Sequence, residues 1–238
     1  MYTVTALSDN QEDTQAANAF RRLIAELAAT RTGPNLVNPW AEEDPELDLP
    51  GAAALRRANL AAYFRLIVAK KPRLLIVGEA PSQRGCRFSG IIFTSEYTMA
   101  THPFFRGGGF ARTSRQPKPW REASSTIVWE TMDLLEQPAV LWAAVPFQPH
   151  QPGVPLSIRT PTRLEQESSL PFLEAVRGLF PETLVVAAGR VAERSLRSLG
   201  VPCLYVHHPS HGGKAAFQAG VLAAERKRGR ATFPPRRR

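Results

Sequence analysis

Residues 73–96, RLLIVGEAPSQRGCRFSGIIFTSE, constrain the fold of this chain more than any other stretch. The apolar run Leu74-Leu75-Ile76-Val77 stops at Gly78-Glu79-Ala80-Pro81-Ser82. A short apolar run bounded by turn formers predicts a buried strand. A polar loop with Gly85 and Gly90 follows it. In open α/β sheets ligands bind beyond the carboxyl ends of the strands, which is where Glu79 falls. A second stretch has the same design: Leu204-Tyr205-Val206 runs into His207-His208-Pro209-Ser210-His211-Gly212-Gly213. A carboxylate at one strand end and an imidazole at another make a candidate acid–base site.

The remaining chain reads as alternating helices and strands. Residues 12–30 form an amphipathic helix, with Ala16, Phe20, Leu23, Ile24 and Leu27 at helical spacing, stopped by Gly33-Pro34. A Pro-, Asn- and acid-rich loop covers 34–50, and a second helix covers 51–69. Ser124-Ser125-Thr126 can cap a helix reaching Glu136. Strands follow at 139–145, 184–188 and 203–207, separated by helices at 162–180 and 190–199, with a last helix at 212–228. Strands alternating with helices predict a three-layer α/β/α fold around a central, mainly parallel four-stranded sheet. Residues 1–225 read as one domain and 226–238 as a basic tail.

Residues 101–121, THPFFRGGGFARTSRQPKPWR, are the least regular part. They read two ways: a basic, aromatic-bearing loop that grips a nucleic-acid backbone and stacks bases, or a mobile insertion without a role. Gly107-Gly108-Gly109 is not a phosphate loop, because no Gly-Lys-Ser or Gly-Lys-Thr follows.

The formal net charge of +9 points to an anionic partner, nucleic acid first. Much of the excess lies in the basic tail. Cys86 and Cys203 are the two cysteines, so no disulfide framework is implied and the chain reads as intracellular and cytoplasmic. A cubane iron–sulfur cluster takes four cysteines, so none is expected. No apolar run approaches a membrane span, so no membrane partner is expected. His207 and His211 have a metal-like spacing, but Pro209 prevents a helix there and no further ligands join them, so no metal and no cofactor is expected. Ser210 beside His208 lacks the context of a hydrolase nucleophile elbow.

GEAPS followed by GIIFTSE, with HPSHGG near the C-terminus, resembles the uracil-DNA glycosylase superfamily over roughly residues 70–220. The pattern is closest to members with a GEAPG motif, and this chain lacks their cluster cysteines. The resemblance implies a monomeric DNA-binding protein that hydrolyses the N-glycosidic bond of a damaged or deaminated base. It implies Glu79 and His208 as catalytic residues, the first orienting water or stabilising a cationic sugar, the second donating to the base oxygen. It places Gly78, Ala80, Phe93 and Ala143 around the base. It places Pro81, Ser82, Arg84, Pro209, Ser210, Gly212, Gly213 and Lys214 along the DNA. Read from the residues, Gly189-Arg190 at a helix start either receives a phosphate or is a tight strand-to-helix turn.

Two departures bear on the substrate. Ala143 stands where many superfamily members have an Asn that reads the base edge, and Ser82 stands for the last Gly of the first motif. An Ala can neither donate nor accept there, which argues against uracil as the base. The rival readings are a catalytically silent relative that binds DNA or a base, and a nucleotide-binding α/β enzyme unrelated to DNA.

Overall fold

The computed structural model describes residues 4–210 and 212–230. Its centre is a four-stranded sheet of β2 (Leu74–Gly78), β3 (Val140–Ala143), β5 (Leu184–Ala188) and β6 (Leu204–Val206). The order is β3-β2-β5-β6, and every neighbouring pair is parallel. β2, β3 and all but the first residue of β5 are buried without alternation, as expected for strands covered on both faces. A small antiparallel pair, β1 (Leu36–Val37) with β4 (Gln148–Pro149), was not expected. Two-residue strands carry too little pattern to read from sequence.

The chain winds one way from β2 to β3 and then back past β2 to β5 and β6. Right-handed crossovers therefore put α5 (Ala123–Met132) on one face, and α6 (Arg163–Leu179) and α7 (Arg190–Ser198) on the other. The packing agrees: α5 meets α8 (Lys214–Arg230), and α6 meets α7 and the N-terminal helix α1 (Val4–Ala29). Helix α2 (Ala52–Ala69) closes the β3 edge, where the Leu141 N–H donates to the buried Tyr63 hydroxyl at 2.9 Å. An edge donor without that partner would be unsatisfied in the core. Two short helices, α3 (Cys86–Ser89) and α4 (Glu96–Thr101), shape the chain after β2.

Several boundaries differ from the sequence reading. α1 begins at Val4 rather than near residue 12. α5 begins at Ala123 with no side-chain cap. The expected cap residues are used elsewhere: Ser125 Oγ accepts from the Ser95 N–H at 2.9 Å and bonds Thr98 at 2.8 Å. α6 has the capping box, Thr162 with Glu165. α8 runs through Arg230, so the cations at 226–230 belong to a helix, and the tail residues 231–238 lie outside the described residues.

Residues 101–121 are built around a buried carboxylate rather than standing free. Glu96 accepts from the N–H groups of Thr113 (2.8 Å), Ser114 (2.9 Å) and Trp120 (3.3 Å), and from the Ser114 hydroxyl (2.5 Å). The aromatics turn inward: Phe105 packs on Trp129 and Phe110, and Trp120 stacks on Phe88. The expectation of base stacking by this loop is corrected on that ground, as is that of a mobile insertion.

Candidate active site

A cleft of about 890 Å³ opens at the carboxyl ends of the strands. It sits beside the point where the strand order reverses, the usual ligand position in such sheets. Glu79 and His208, which are 129 positions apart in sequence, both line it.

Glu79 follows β2 directly. Its own carbonyl and that of Gly78 accept from the N–H groups of Val145 (3.0 Å) and Ala144 (2.9 Å). The backbone under the carboxylate is thus fixed to the continuation of β3. Burial pushes the Glu79 carboxyl above the ordinary range, while a Thr160 hydrogen bond and the Arg194 charge pull it back.

His208 follows β6. Its Nδ1 accepts from the Ser210 N–H at 3.2 Å. In the neutral ring that bond leaves the proton on Nε2, so the orienting contact fixes a donor. The turn beyond it is tight: the Gly213 N–H donates to the Ser210 carbonyl at 3.0 Å, and a Cβ at Gly213 would lie 2.1 Å from the His208 carbonyl oxygen. No side chain fits at Gly213.

Phe93 joins the two. It is half-buried with φ 55°, a left-handed backbone that bulky residues rarely adopt. Its ring lies 6.2 Å from the His208 ring, centroid to centroid, and presses on Gly78. A Cβ at Gly78 would come within 2.3 Å of Phe93 Cζ. The glycine that ends β2 is therefore what admits the aromatic to the cleft wall.

The cleft gathers Gly78, Ala80, Phe93 and Ala143 of the expected base set, and Pro81, Ser82, Arg84, Pro209, Ser210, Gly212 and Lys214 of the expected DNA set. Ala143 ends β3, pairs in register with Gly78 and is 1 % exposed. Gly213 is absent from the wall and shapes the turn instead. Arg190 is also absent from the wall. It pairs with Glu193 at 2.8 Å and stacks 4.2 Å over the Tyr205 ring, so the strand-to-helix turn is the reading that geometry favours. Lys214 is exposed and pairs with Glu130 at 2.7 Å. His211 lies outside the described residues.

Sequence reasoning missed several members of the wall, among them Glu122, Arg159 and Thr160. Glu122, beside α5, is a second carboxylate. The Ser124 hydroxyl donates to it, and burial pushes its carboxyl up while Ser124 and Ser82 pull it down. Arg159 and Thr160 come from the Pro-rich loop after β4, where Arg159 pairs with Glu165 at 2.6 Å. Nothing local marks these residues. The fold brings them to the cleft from distant segments.

Among the described residues no group of three or more His, Cys, Asp or Glu could hold a metal ion, and no helix is long and apolar enough to cross a membrane.

A doubly wound, all-parallel sheet with a carboxylate after β2 and an imidazole after β6, both on the wall of one cleft, defines an α/β protein with a strand-end ligand site. The family model of the uracil DNA glycosylase superfamily matches residues 65–228, and the chain belongs to that superfamily. The matched segment contains all four parallel strands and both motifs. No curated protein matches the chain. Among solved structures it is similar to the crystal structure of wild-type SMUG2 from Pedobacter heparinus, at 14 % identity and a TM-score of 0.62. The match covers 89 % of this chain and 97 % of that one. At this identity the likeness shows a shared fold.

Proposed function

We propose that the chain is a DNA glycosylase that hydrolyses the N-glycosidic bond of a damaged or deaminated base held in the cleft. One observation carries the reading. The Ser210 N–H fixes His208 with its neutral-ring proton on Nε2, in the same cleft as the Glu79 carboxyl.

The chemistry follows from these groups. As the bond between C1′ and the base nitrogen breaks, its electron pair goes to the base, and the base oxygen gains negative charge. Nε2–H of His208 donates a hydrogen bond there, a fixed dipole aimed at developing charge. The sugar becomes cationic. Ionised Glu79 stabilises it, orients a water toward C1′ and takes the proton that the water loses. Phe93 offers its face to the extruded base. Ser210, Arg84 and Lys214 meet the phosphates and fix register without reading sequence.

Ala143 argues that the base is not uracil, since an apolar wall cannot read a base edge. The same residue favours a second reading, a silent relative that binds DNA without cleavage. A panel of duplex oligonucleotides carrying uracil, hypoxanthine, xanthine or an alkylated base separates the two. The native chain is expected to release at least one of them. Glu79→Gln and His208→Ala are expected to slow that release by about 100-fold or more. DNA binding with no base released from any oligonucleotide would favour the silent relative.

A further inference from the structure

Ala143 leaves the end of β3 without a polar side chain, so a group that reads the base edge has to come from elsewhere on the wall. Glu79 and His208 are engaged at the bond that breaks. The cations have partners of their own: Arg159 pairs with Glu165 and Lys214 with Glu130, while Arg84 lies 5.4 Å over the Trp120 ring and Arg121 4.3 Å over the Tyr97 ring. Gln83 lines the cleft, but among the described residues no hydrogen bond fixes its amide. Glu122 differs from all of these, because the fold builds a seat for its carboxyl.

The Ser124 hydroxyl, in the first turn of α5, donates to Glu122 Oε1. The Ser82 hydroxyl, from the turn after β2, also faces the carboxyl. Gly85 lies against both: a Cβ there would stand 2.1 Å from Glu122 Oε2 and 2.9 Å from Ser82 Oγ. Only a residue without a side chain leaves room for the carboxyl at this point. Ser82 is the departure from the last Gly of the first motif, and this contact accounts for it. Relative to the family pattern, the end of β3 has lost a polar group, and the turn after β2 has gained one that holds Glu122.

The seat offers hydroxyls rather than a cation. Burial pushes the Glu122 carboxyl up, and what pulls it back is hydrogen bonding from Ser124 and Ser82. The Cys86 thiol, pushed up by burial and by Glu122, is neutral beside it. A desolvated carboxyl without a cation takes up a proton instead of keeping its charge. It then presents one O–H donor and one acceptor, the pair that an amide presents. That pair complements an N–H beside a carbonyl, which is the lactam edge of a deaminated base. The small Ala143 side chain leaves room at the strand end for a purine ring.

We infer that Glu122 is the specificity-determining residue of the cleft: its carboxyl O–H donates to O6, and its carbonyl oxygen accepts from N1–H, of an extruded hypoxanthine. The inference rests on the glycosylase reading of the cleft. It adds the base that the cleft takes and the side chain that selects it. Glu122 takes no part in breaking the bond.

The test compares a duplex carrying hypoxanthine with one carrying 1-methylhypoxanthine, which lacks the N1–H. The native chain is expected to favour hypoxanthine by about tenfold or more in kcat/KM, the scale of one bidentate pair. In Glu122→Ala that ratio is expected to fall about tenfold. Gly85→Ala unseats the carboxyl with Glu122 still present and is expected to do the same. Glu122→Gln keeps a donor and an acceptor and is expected to stay within about threefold of the native ratio. Gln83→Ala should leave the ratio unchanged, and a thermal melt identifies the folded variants. A native ratio in folded Glu122→Ala or Gly85→Ala would overturn the inference. So would a Glu122→Gln no better than Glu122→Ala, since an ionised carboxylate would then be the reader. A native chain that releases another base but not hypoxanthine would overturn it as well. Binding of the two duplexes gives the same ratio without cleavage. A preference that depends on Glu122, in a chain that releases no base, would remove the glycosylase reading and leave the base selection standing.

Discussion

Glu96 and Glu79 belong to the same stretch of chain, and their surroundings differ in kind. Glu96 is buried and accepts from three backbone N–H groups and a hydroxyl, so its charge is spent on folding the 101–121 segment. Glu79 sits half-buried on the wall of an open cleft, and burial raises its carboxyl. The first arrangement satisfies a carboxylate and the second keeps one reactive. Buried charge with complete partners marks scaffold, whereas a desolvated carboxyl facing a cavity marks a candidate site.

That contrast is broken most forcefully at the scaffold. Glu96→Ala leaves the donors of Thr113, Ser114 and Trp120 without their acceptor, at a cost of about 3 kcal/mol or more. For a chain of this size the melting temperature should fall by roughly 6–12 °C, which calorimetry would detect. Glu79→Gln should behave oppositely. A carboxyl whose pKa is raised on folding favours the native state below its unfolded pKa, and that contribution is lost as pH rises through the folded value. Removing it should therefore leave stability equal at acid pH and raise the melting temperature relative to the native chain near neutrality. A destabilised Glu79→Gln at neutral pH would erase the distinction between the two glutamates.

Next in size is Gly78→Ala. The new Cβ would meet the Phe93 ring, and displacing that ring by an ångström should cost about 100-fold in excision with the fold retained. Single-turnover kinetics beside a thermal melt would separate the two effects. Full activity would mean that Phe93 is not a wall for the base.

A smaller effect is expected at Ala143. Ala143→Asn supplies the missing base-edge group, and uracil release should rise about tenfold, the scale of one bidentate pair. Asn at a packed strand end costs ~1–3 kcal/mol, so the gain has to be read in a folded variant. If a folded Ala143→Asn shows no gain, Ser82→Gly added to it distinguishes a closed pocket from a misassigned position.

The smallest effect concerns the tail. Deleting residues 231–238 removes three arginines and spares α8, which runs to Arg230. The salt dependence of DNA binding should become shallower by up to about 0.9 in log–log slope for each phosphate that the tail no longer neutralises. An unchanged slope would assign the electrostatic footprint to the cleft and its rim.

These predictions reflect unequal legibility. β2, β3, β5 and β6 could be read because each is a continuous apolar run punctuated by Gly or Pro, and all four are central to the fold. Glu79 and His208 could be read because turn chemistry places them at strand ends. The start of α1 could not, since residues 4–11 carry few apolar residues to set a period. Nor could the role of Glu96, whose partners lie 17 to 24 positions away, or the arrival of Glu122 and Thr160 at the cleft. Those contacts exist only once the sheet has closed. Loop 101–121 looked irregular because its order comes from one carboxylate rather than from a repeating pattern.

The central claim is that an ionised Glu79, in the cleft that His208 also lines, breaks the glycosidic bond. The direct test is the single-turnover rate against pH, for the native chain and Glu79→Gln, on whichever base the panel shows to be released. The native rate should fall on the acid side through a pKa above that of an ordinary glutamate, because the carboxylate is the active form and burial raises it. Glu79→Gln should be slower by about 100-fold or more and should lose that limb. A Glu79→Gln variant that keeps the native rate and the native acid limb would contradict the account.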